Sequence, residues 1–264
     1  MTQGWMTGLM MLGLALAGTS GARERCTWPE AMPIRPLVLV GELHGTVETP
    51  ALVGELACAA AADAATPVTV ALEMDPTEQA RIDAYLASAG TAADRSALLA
   101  GRFWTRTMQD GRSSVAMAAL IERLRSLRSE GSAIQVVAVD TLRHADRDAE
   151  MAANIRRETR REGARVIALL GNRHASGHKG VQDDPGYVPA GYLLADLQPL
   201  SVRVDAPRGS AWVCAPTCGV LAFGARSSAA EPIAAGYAPI ATRPGYDGVY
   251  MLPALTASPP VQTP

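Results

Sequence analysis

One pattern occurs twice in this sequence: a short apolar run, then a glycine, then a histidine three residues after the glycine. Leu37–Val40 leads into Gly41-Glu42-Leu43-His44, and far downstream Val166–Leu170 leads into Gly171-Asn172-Arg173-His174. Short apolar runs rich in Val, Ile and Leu predict buried strands of a parallel sheet. Ligands of open α/β sheets bind just beyond the carboxyl ends of the strands. The repeated pattern therefore predicts a polar site at one edge of a sheet.

Predicted strands and helices alternate along the first two thirds of the chain. The strands are Leu37–Val40, Val68–Leu72, Ile134–Val139 and Val166–Leu170. Between them, apolar residues recur at helical spacing, and Asp75-Pro76-Thr77-Glu78 is a typical helix start. This alternation predicts an α/β fold with a mainly parallel central sheet flanked by helices. After about Pro185, glycine, proline and short β-like runs predict additional C-terminal edge strands and loops.

The N-terminus has the composition of a secretory signal peptide. Trp5–Ala17 is apolar apart from Thr7 and glycines, and Ser20 and Ala22 suit the small-residue positions of a cleavage site. The run is shorter than the ~20 residues of a membrane span, which favours a cleaved signal over residues 1–22 rather than an uncleaved anchor. We expect a periplasmic or secreted protein with no stable membrane span after cleavage, one α/β domain over 23–252 and a disordered tail over 253–264.

The four cysteines fit an exported protein. Cys214 and Cys218 enclose three residues and can close a small loop, which leaves Cys26 to pair with Cys58 on the first predicted helix. This is one of three pairings that four cysteines allow. Zinc binding and free thiols are the alternatives, and zinc is disfavoured because the two close cysteines lack a second pair at matching spacing.

Polar residues at the predicted strand ends are the candidate catalytic residues. They are Glu42 and His44, Glu73, Asp140, Asn172 and His174. If the strands are parallel, these residues share one edge of the sheet. Histidine is the usual general base near neutral pH and the commonest metal ligand. The alternatives are buried histidines that tie down turns and, for Glu73, a carboxylate that favours a helix start.

A polar and aromatic segment follows the second predicted helix. We predict that Trp104, Asp110 and Arg112 cover the site and bind substrate, because loops often carry function and an arginine can clamp an anionic group. The alternatives are a simple turn at Asp110-Gly111 and an ion pair of Arg112 with Asp110 or Asp140.

Several function classes lack support in the sequence. The formal net charge of −2 gives no electrostatic argument for binding nucleic acid or an anionic membrane surface. The P-loop, the dinucleotide-binding glycine motif, the His-Glu-x-x-His zinc motif and the Gly-x-Ser-x-Gly elbow are all absent from the sequence. A serine hydrolase of the usual α/β type is therefore not supported.

Gly41-Glu42-Leu43-His44-Gly45, Glu73 and Gly171-Asn172-Arg173-His174 resemble the erythromycin esterase/ChaN-like superfamily, which includes the TIKI/TraB branch. The likeness spans about half of the chain, from Leu37 to Ala175. Met151–Ile155 also resembles the helix that precedes the second motif in ChaN-like proteins. The resemblance implies one of three chemistries.

The branches of this superfamily differ in their cofactors. The esterase branch implies a histidine that activates water for ester opening. The TIKI branch implies a metal-dependent protease, with His44, Glu73 and His174 as ligands of zinc, manganese or cobalt. The ChaN branch implies haem binding, with Tyr187, Tyr192 or a histidine as the axial ligand.

Our leading hypothesis is an exported hydrolase that acts on an ester or peptide bond of a small-molecule or peptide substrate. His44, aided by Glu42 or Glu73, would activate water directly or on a divalent metal, and His174 would complete the base network or the metal shell. Asn172 and Arg112 would donate hydrogen bonds to developing negative charge. The alternatives are a non-catalytic haem- or iron-binding periplasmic protein and a non-catalytic interaction module.

Overall fold

The computed structural model describes Met1 and residues 26–63, 66–141, 145–181, 183–214, 216–224, 234–241 and 244–262. The predicted signal peptide, 1–22, lies outside these residues apart from Met1. No helix among the described residues is long and apolar enough to cross a membrane.

The described residues form nine strands in two sheets. In chain order the strands are β1 (Leu37–Glu42), β2 (Val68–Leu72), β3 (Ile134–Ala138), β4 (Arg165–Gly171), β5 (Leu200–Asp205), β6 (Gly209–Cys214), β7 (Cys218–Phe223), β8 (Gly236–Pro239) and β9 (Gly248–Met251). Seven of them form the central sheet in the order β3-β2-β4-β1-β5-β9-β8. All neighbours in this sheet are parallel except β8 and β9. The predicted mainly parallel α/β fold is therefore confirmed.

The helices cover both faces of the central sheet. In chain order they are α1 (Glu48–Ala60), α2 (Gln79–Leu86), α3 (Ala92–Leu99), α4 (Arg102–Thr105), α5 (Val115–Ser129), α6 (Arg147–Glu158), α7 (Asn172–Ala175) and α8 (Ala190–Leu193). On one face, Val38 and Val40 pack with α1 and α5 in the larger core cluster. On the other face, Leu37 and Leu39 pack with Met151 of α6. Apolar side chains on both sides of β1 explain its continuous apolar run.

Local capping explains several helix starts. The Asp75 carboxylate accepts a hydrogen bond from the Thr77 amide at 2.9 Å, as the predicted helix start requires. The Ser114 hydroxyl accepts one from the Met117 amide at 3.3 Å and caps α5. Asp146, which directly precedes α6, makes no such side-chain bond at the start of that helix.

The C-terminal strands occupy two positions. β5, β9 and β8 extend the central sheet beyond β1, with β8 at its edge. β6 and β7 form a separate antiparallel hairpin. The predicted disulfides are confirmed: Cys214–Cys218 joins the ends of this hairpin, and Cys26–Cys58 ties the segment before β1 to α1.

The segment 253–262 differs from the disordered tail that we predicted. The Ser258 amide donates to the Gly45 carbonyl at 2.8 Å, and the Val47 amide donates to the Thr256 carbonyl at 2.9 Å. Leu255 is 5% exposed and Ser258 is 1% exposed. The segment is ordered because its backbone pairs with the loop after β1 and its apolar side chain is buried.

Candidate active site

The two histidines meet at the carboxyl edge of three adjacent strands. β4 lies between β2 and β1, and Glu42 of β1 is in register with Gly171 of β4. Glu73 directly follows β2, His44 follows β1, and His174 lies in α7 directly after β4. The Glu73 Oε1 atom is 3.5 Å from His44 Nε2 and 3.9 Å from His174 Nε2. The shared edge that the sequence predicted therefore exists, with Glu73 between the histidines.

The glycines of the two motifs make this close approach feasible. A Cβ atom on Gly171 would lie 2.8 Å from His44 Nε2, so any side chain there would displace the imidazole. Gly45 has a φ of +77°, and a Cβ atom there would lie 2.2 Å from the Trp212 carbonyl oxygen. Glycine is therefore required at both positions.

Each histidine has a carboxylate of its own. His44 Nδ1 lies 2.8 Å from Glu42 Oε1, and His174 Nδ1 lies 2.8 Å from Asp148 Oδ1. Glu42 comes from the same motif as His44, whereas Asp148 comes from the first turn of α6. The two rings are thus held from behind, with both Nε2 atoms turned towards Glu73.

Two arginines bind the central carboxylate. Glu73 Oε1 accepts hydrogen bonds from Arg112 Nη1 at 3.1 Å and from Arg147 Nη2 at 2.6 Å. Both guanidinium groups also donate to Asp140, at 2.9 and 2.8 Å. Glu73 Oε2 accepts from the Gly171 amide at 2.7 Å. A carboxylate that is only 4% exposed can remain charged here because it has these partners.

The carboxylates around His44 determine its protonation. Burial alone would lower the pKa of His44, but the charge of Glu73 and the hydrogen bonds to Glu42 and Glu73 raise it to about 10. Burial would raise the pKa of Glu73, but the charge and hydrogen bond of His44 hold it well below its ordinary value. Burial raises the pKa of Glu42. His44 Nε2 therefore carries a hydrogen at neutral pH, because it faces an ionised carboxylate.

His174 Nε2 has a different neighbour. Arg147 Nη1 lies 3.2 Å from it. A guanidinium group has only donors, so the imidazole nitrogen accepts this hydrogen bond. The two Nε2 atoms at the centre of the site therefore have unlike neighbours: His44 Nε2 faces the Glu73 carboxylate at 3.5 Å, and His174 Nε2 faces the Arg147 guanidinium at 3.2 Å.

Comparison with solved structures shows which known fold this is. No family model and no curated protein matches the chain. A histidine-to-asparagine mutant of the erythromycin esterase EreC in its open conformation is 12% identical, with a TM-score of 0.61 over 86% of this chain and 93% of that one. The fold is similar to that of erythromycin esterase.

Two further solved structures match. A succinoglycan biosynthesis protein is 10% identical, with a TM-score of 0.57 over 84% of this chain and 89% of that one. A structure described as bacterial protein toxins is 23% identical, with a TM-score of 0.45 over 66% of this chain. The chain spans 34% of the length of that toxin. The likeness to erythromycin esterase and the succinoglycan protein establishes the fold, and the TIKI/TraB relationship stays a prediction.

The three predicted substrate-binding residues differ in their positions and contacts. Trp104 is completely buried in the core, where its ring meets Phe103 edge-on at 5.3 Å, so the prediction that it contacts substrate is wrong. Arg112 lies at the site, but each of its guanidinium nitrogens donates to a carboxylate, as the ion-pair alternative predicted. Asp110 binds Arg106 and Arg112 and caps the turn Gly111–Ser113.

Asn172 lies beside the histidines without a clear contact to them. Its carbonyl accepts a hydrogen bond from the Tyr246 hydroxyl. Its side-chain Oδ1 is buried without a hydrogen-bond partner among the described residues. A Cβ atom on Gly41 would lie 3.0 Å from this oxygen.

Three residues of the site were not predicted from the sequence as part of the histidine cluster: Arg147, Asp148 and Tyr187. Arg147 and Asp148 begin α6, four and three residues before Met151 in the segment that resembles ChaN-like proteins. That adjacency was the available signal. Tyr187 lies in a segment rich in glycine and proline with no pattern that points to the site, and we had considered it only as a haem ligand.

The donor set does not fit a divalent metal. Two guanidinium groups contact Glu73 Oε1 between the histidines, so a cation there would meet two like charges. Among the described residues, no group of three or more His, Cys, Asp or Glu side chains has a metal-binding arrangement. Haem does not fit this cluster either, because carboxylates and guanidinium groups surround the histidines where haem needs apolar walls.

A cavity of about 560 Å³ has no histidine in its lining. It opens beside the start of β5 and is lined by Arg35, Gln198, Tyr237, Tyr246 and Asp247 among others. Tyr246 is its link to the site, since this side chain also reaches Asn172. The histidine cluster itself is reached from solvent, with the His44 side chain 25% exposed.

Proposed function

We propose that this protein is a hydrolase of the erythromycin esterase/ChaN-like superfamily that opens an ester or peptide bond with a metal-free pair of histidines. The observation that carries the proposal is the convergence of His44 and His174 on Glu73, each with its own carboxylate behind it. The fold similarity to erythromycin esterase supports it. Polar groups that converge at the carboxyl edge of a parallel sheet are typical of an active site.

The two histidines take complementary roles in this mechanism. The His174 Nε2 lone pair removes a proton from water as the water oxygen bonds to the carbonyl carbon. The carbonyl π pair moves to its oxygen, which accepts a hydrogen bond from His44 Nε2–H. When the tetrahedral species collapses, the C–O or C–N bond breaks and the leaving group receives the proton held by His174.

This assignment changes the role that the sequence had suggested for His44. We had expected His44 to activate water, but the carboxylates on both sides of its ring favour a proton on Nε2. A base needs a free lone pair at the operating pH, and the Nε2 atom of His174 offers one once water replaces Arg147 as its partner.

The remaining polar residues orient these two groups. Glu73, which is bound by Arg112 and Arg147, contacts Nε2 of His44. Glu42 contacts Nδ1 of the same ring. Asn172 remains a proposed donor to the oxyanion through its side-chain amide nitrogen, whereas its buried, unpaired Oδ1 can only accept a hydrogen bond. Arg112 is less suited to this role than we predicted, since its nitrogens already bind carboxylates.

We also propose that the protein acts in the periplasm or outside the cell. Two disulfides, Cys26–Cys58 and Cys214–Cys218, use every cysteine of the chain. Disulfides form and persist in oxidising compartments and are rare in the cytosol. The apolar N-terminal segment is consistent with export.

The proposed function is tested on purified, oxidised protein with a panel of p-nitrophenyl acyl esters and fluorogenic peptides. We expect hydrolysis of at least one ester or peptide class, lowered roughly 10²–10⁴-fold by His44→Gln and by His174→Gln. His178→Gln is the matched control, because His178 is exposed outside the cluster, and it should keep wild-type activity.

A chelator distinguishes the metal-free mechanism. We expect EDTA to leave the wild-type rate unchanged. Full activity in both histidine variants, with folding verified by circular dichroism, would contradict the assigned site. Loss of activity in EDTA that zinc, manganese or cobalt restores would contradict the metal-free mechanism and return the site to a metal-dependent one.

A further inference from the structure

Behind His174 lies a hydrogen-bonded cluster that the hydrolysis steps do not use directly. The Asp148 Oδ1 atom lies 2.8 Å from His174 Nδ1 and accepts a hydrogen bond from the Ala190 amide, also at 2.8 Å. Its Oδ2 atom accepts one from the Tyr187 hydroxyl at 3.0 Å. The same hydroxyl oxygen lies 3.0 Å from His174 Nδ1, where it accepts from the ring N–H while it donates to Asp148. Three donors from three parts of the chain thus meet on one carboxylate.

From this cluster we infer that Asp148 and Tyr187 are positioning residues that fix His174 in the tautomer with its hydrogen on Nδ1. The unprotonated Nε2 atom then faces the site. The inference deepens the proposed function. Only the catalytic use of the Nε2 lone pair rests on that function, whereas the tautomer itself does not.

The neighbours on both sides of the imidazole favour the same tautomer, and the ionised Asp148 is the stronger partner. Burial would raise the pKa of Asp148, but the hydrogen bond and charge of His174 lower it, so the carboxylate is ionised and only accepts. The hydrogen between Asp148 and Nδ1 therefore belongs to the ring. On the other side Arg147 Nη1 can only donate to Nε2. Free histidine prefers the opposite tautomer, so these neighbours must impose this one.

Tyr187 holds the carboxylate in place. Burial and the charge of Asp148 raise the pKa of Tyr187, so the phenol keeps the proton that it donates. The Arg173 guanidinium lies 4.8 Å from the centre of the Tyr187 ring, and the Gly180 amide donates to the Tyr187 carbonyl at 2.7 Å. A hydroxyl from a separate segment therefore fixes Asp148, which in turn fixes the base.

A merely structural role for this cluster makes a different prediction. If Asp148 only ties α6 to α8 through the Ala190 amide, its loss would lower stability and leave the His174 ring nitrogens unchanged. The protonation of each ring nitrogen is therefore the decisive observable.

Two-bond ¹H–¹⁵N NMR of the full chain with ¹⁵N-labelled histidine measures the protonation of each ring nitrogen near pH 7.5. The chain has four histidines, and His174→Gln assigns the relevant signals. We expect a protonated Nδ1 and an unprotonated Nε2 for His174 in the wild type. Asp148→Ala should move the hydrogen to Nε2 in most molecules, and Tyr187→Phe should give a mixture. The control Tyr192→Phe, at an exposed tyrosine, should match the wild type.

Activity gives a second readout. We expect kcat to fall about 10–100-fold in Asp148→Ala and about tenfold in Tyr187→Phe, with little change in KM. A wild-type His174 with its hydrogen on Nε2, or an unchanged tautomer in folded Asp148→Ala, would overturn the inference. The spectra need no substrate, so they test the tautomer separately from catalysis. If His174 has the expected tautomer but the protein hydrolyses none of the substrates, the proposed function is rejected and the positioning roles of Asp148 and Tyr187 stand. If Asp148→Ala does not fold, Tyr187→Phe decides the result alone.

Discussion

At the scale of single residues, the two histidines differ although their local sequences are alike. The first motif contains its own carboxylate, Glu42, two residues before His44, whereas the second has Asn172 at that position. His174 obtains its carboxylate from Asp148, which is distant in sequence. The sequence therefore predicted the partner of His44 and could not predict that of His174, because only packing of α6 beside β4 creates the second pair.

The protonation of His44 makes the free energy of unfolding depend on pH. Its pKa rises from an ordinary 6.5 to about 10, so the protonated ring stabilises the fold fully below about pH 6.5, and this contribution is lost as pH rises through 10. Between pH 7 and 10.5 we expect the free energy of unfolding to fall more in the wild type than in His44→Gln, by roughly a few kcal/mol. Urea denaturation at both pH values measures this. The same fall in both proteins would contradict the charged state of His44, and His178→Gln should follow the wild type.

At the scale of elements, the strands and most helices follow from apolar periodicity, but the ordered C-terminal segment does not. Residues 253–262 contain proline, serine, threonine and small residues without a periodic apolar pattern. Their order depends on backbone hydrogen bonds to the loop after β1 and to the start of α5, where the Val115 amide donates to the Pro259 carbonyl at 2.9 Å. Such long-range backbone pairing leaves no trace in local sequence.

Substitution of Ser258 tests how much this segment contributes to the free energy of unfolding. Its hydroxyl accepts a hydrogen bond from the Ala116 amide at 2.9 Å, and both groups are buried. We expect Ser258→Ala to lower the free energy of unfolding by about 1–3 kcal/mol, because the Ala116 amide would lose its partner. Ser129→Ala, at an exposed serine, should change it by less than about 0.5 kcal/mol. Thermal and urea unfolding measure both; equal small effects would mean that the segment contributes little to stability.

At the scale of the whole molecule, the alternation of strands and helices predicted a shared sheet edge but not the neighbours on it. Glu73 lies between the histidines only because β4 is inserted between β1 and β2. The ion pairs that bind Glu73 come from the segment before α5 and from α6, on opposite sides of the sheet. The cluster is thus a product of topology, and its composition could be predicted only in part.

The two disulfides should contribute unequally to the stability of the whole chain. Cys26–Cys58 joins residues 32 apart, whereas Cys214–Cys218 joins residues 4 apart. In the chain-entropy description, the longer loop restricts the unfolded chain more, by about 4 kcal/mol against about 2 kcal/mol. We expect the double variant Cys26→Ala/Cys58→Ala to lose about twice the free energy of unfolding that Cys214→Ala/Cys218→Ala loses, as measured by urea denaturation under oxidising conditions. Because neither disulfide belongs to the histidine cluster, kcat at low urea should remain near wild type in both. A larger loss of unfolding free energy from the hairpin pair would contradict the expectation based on loop length.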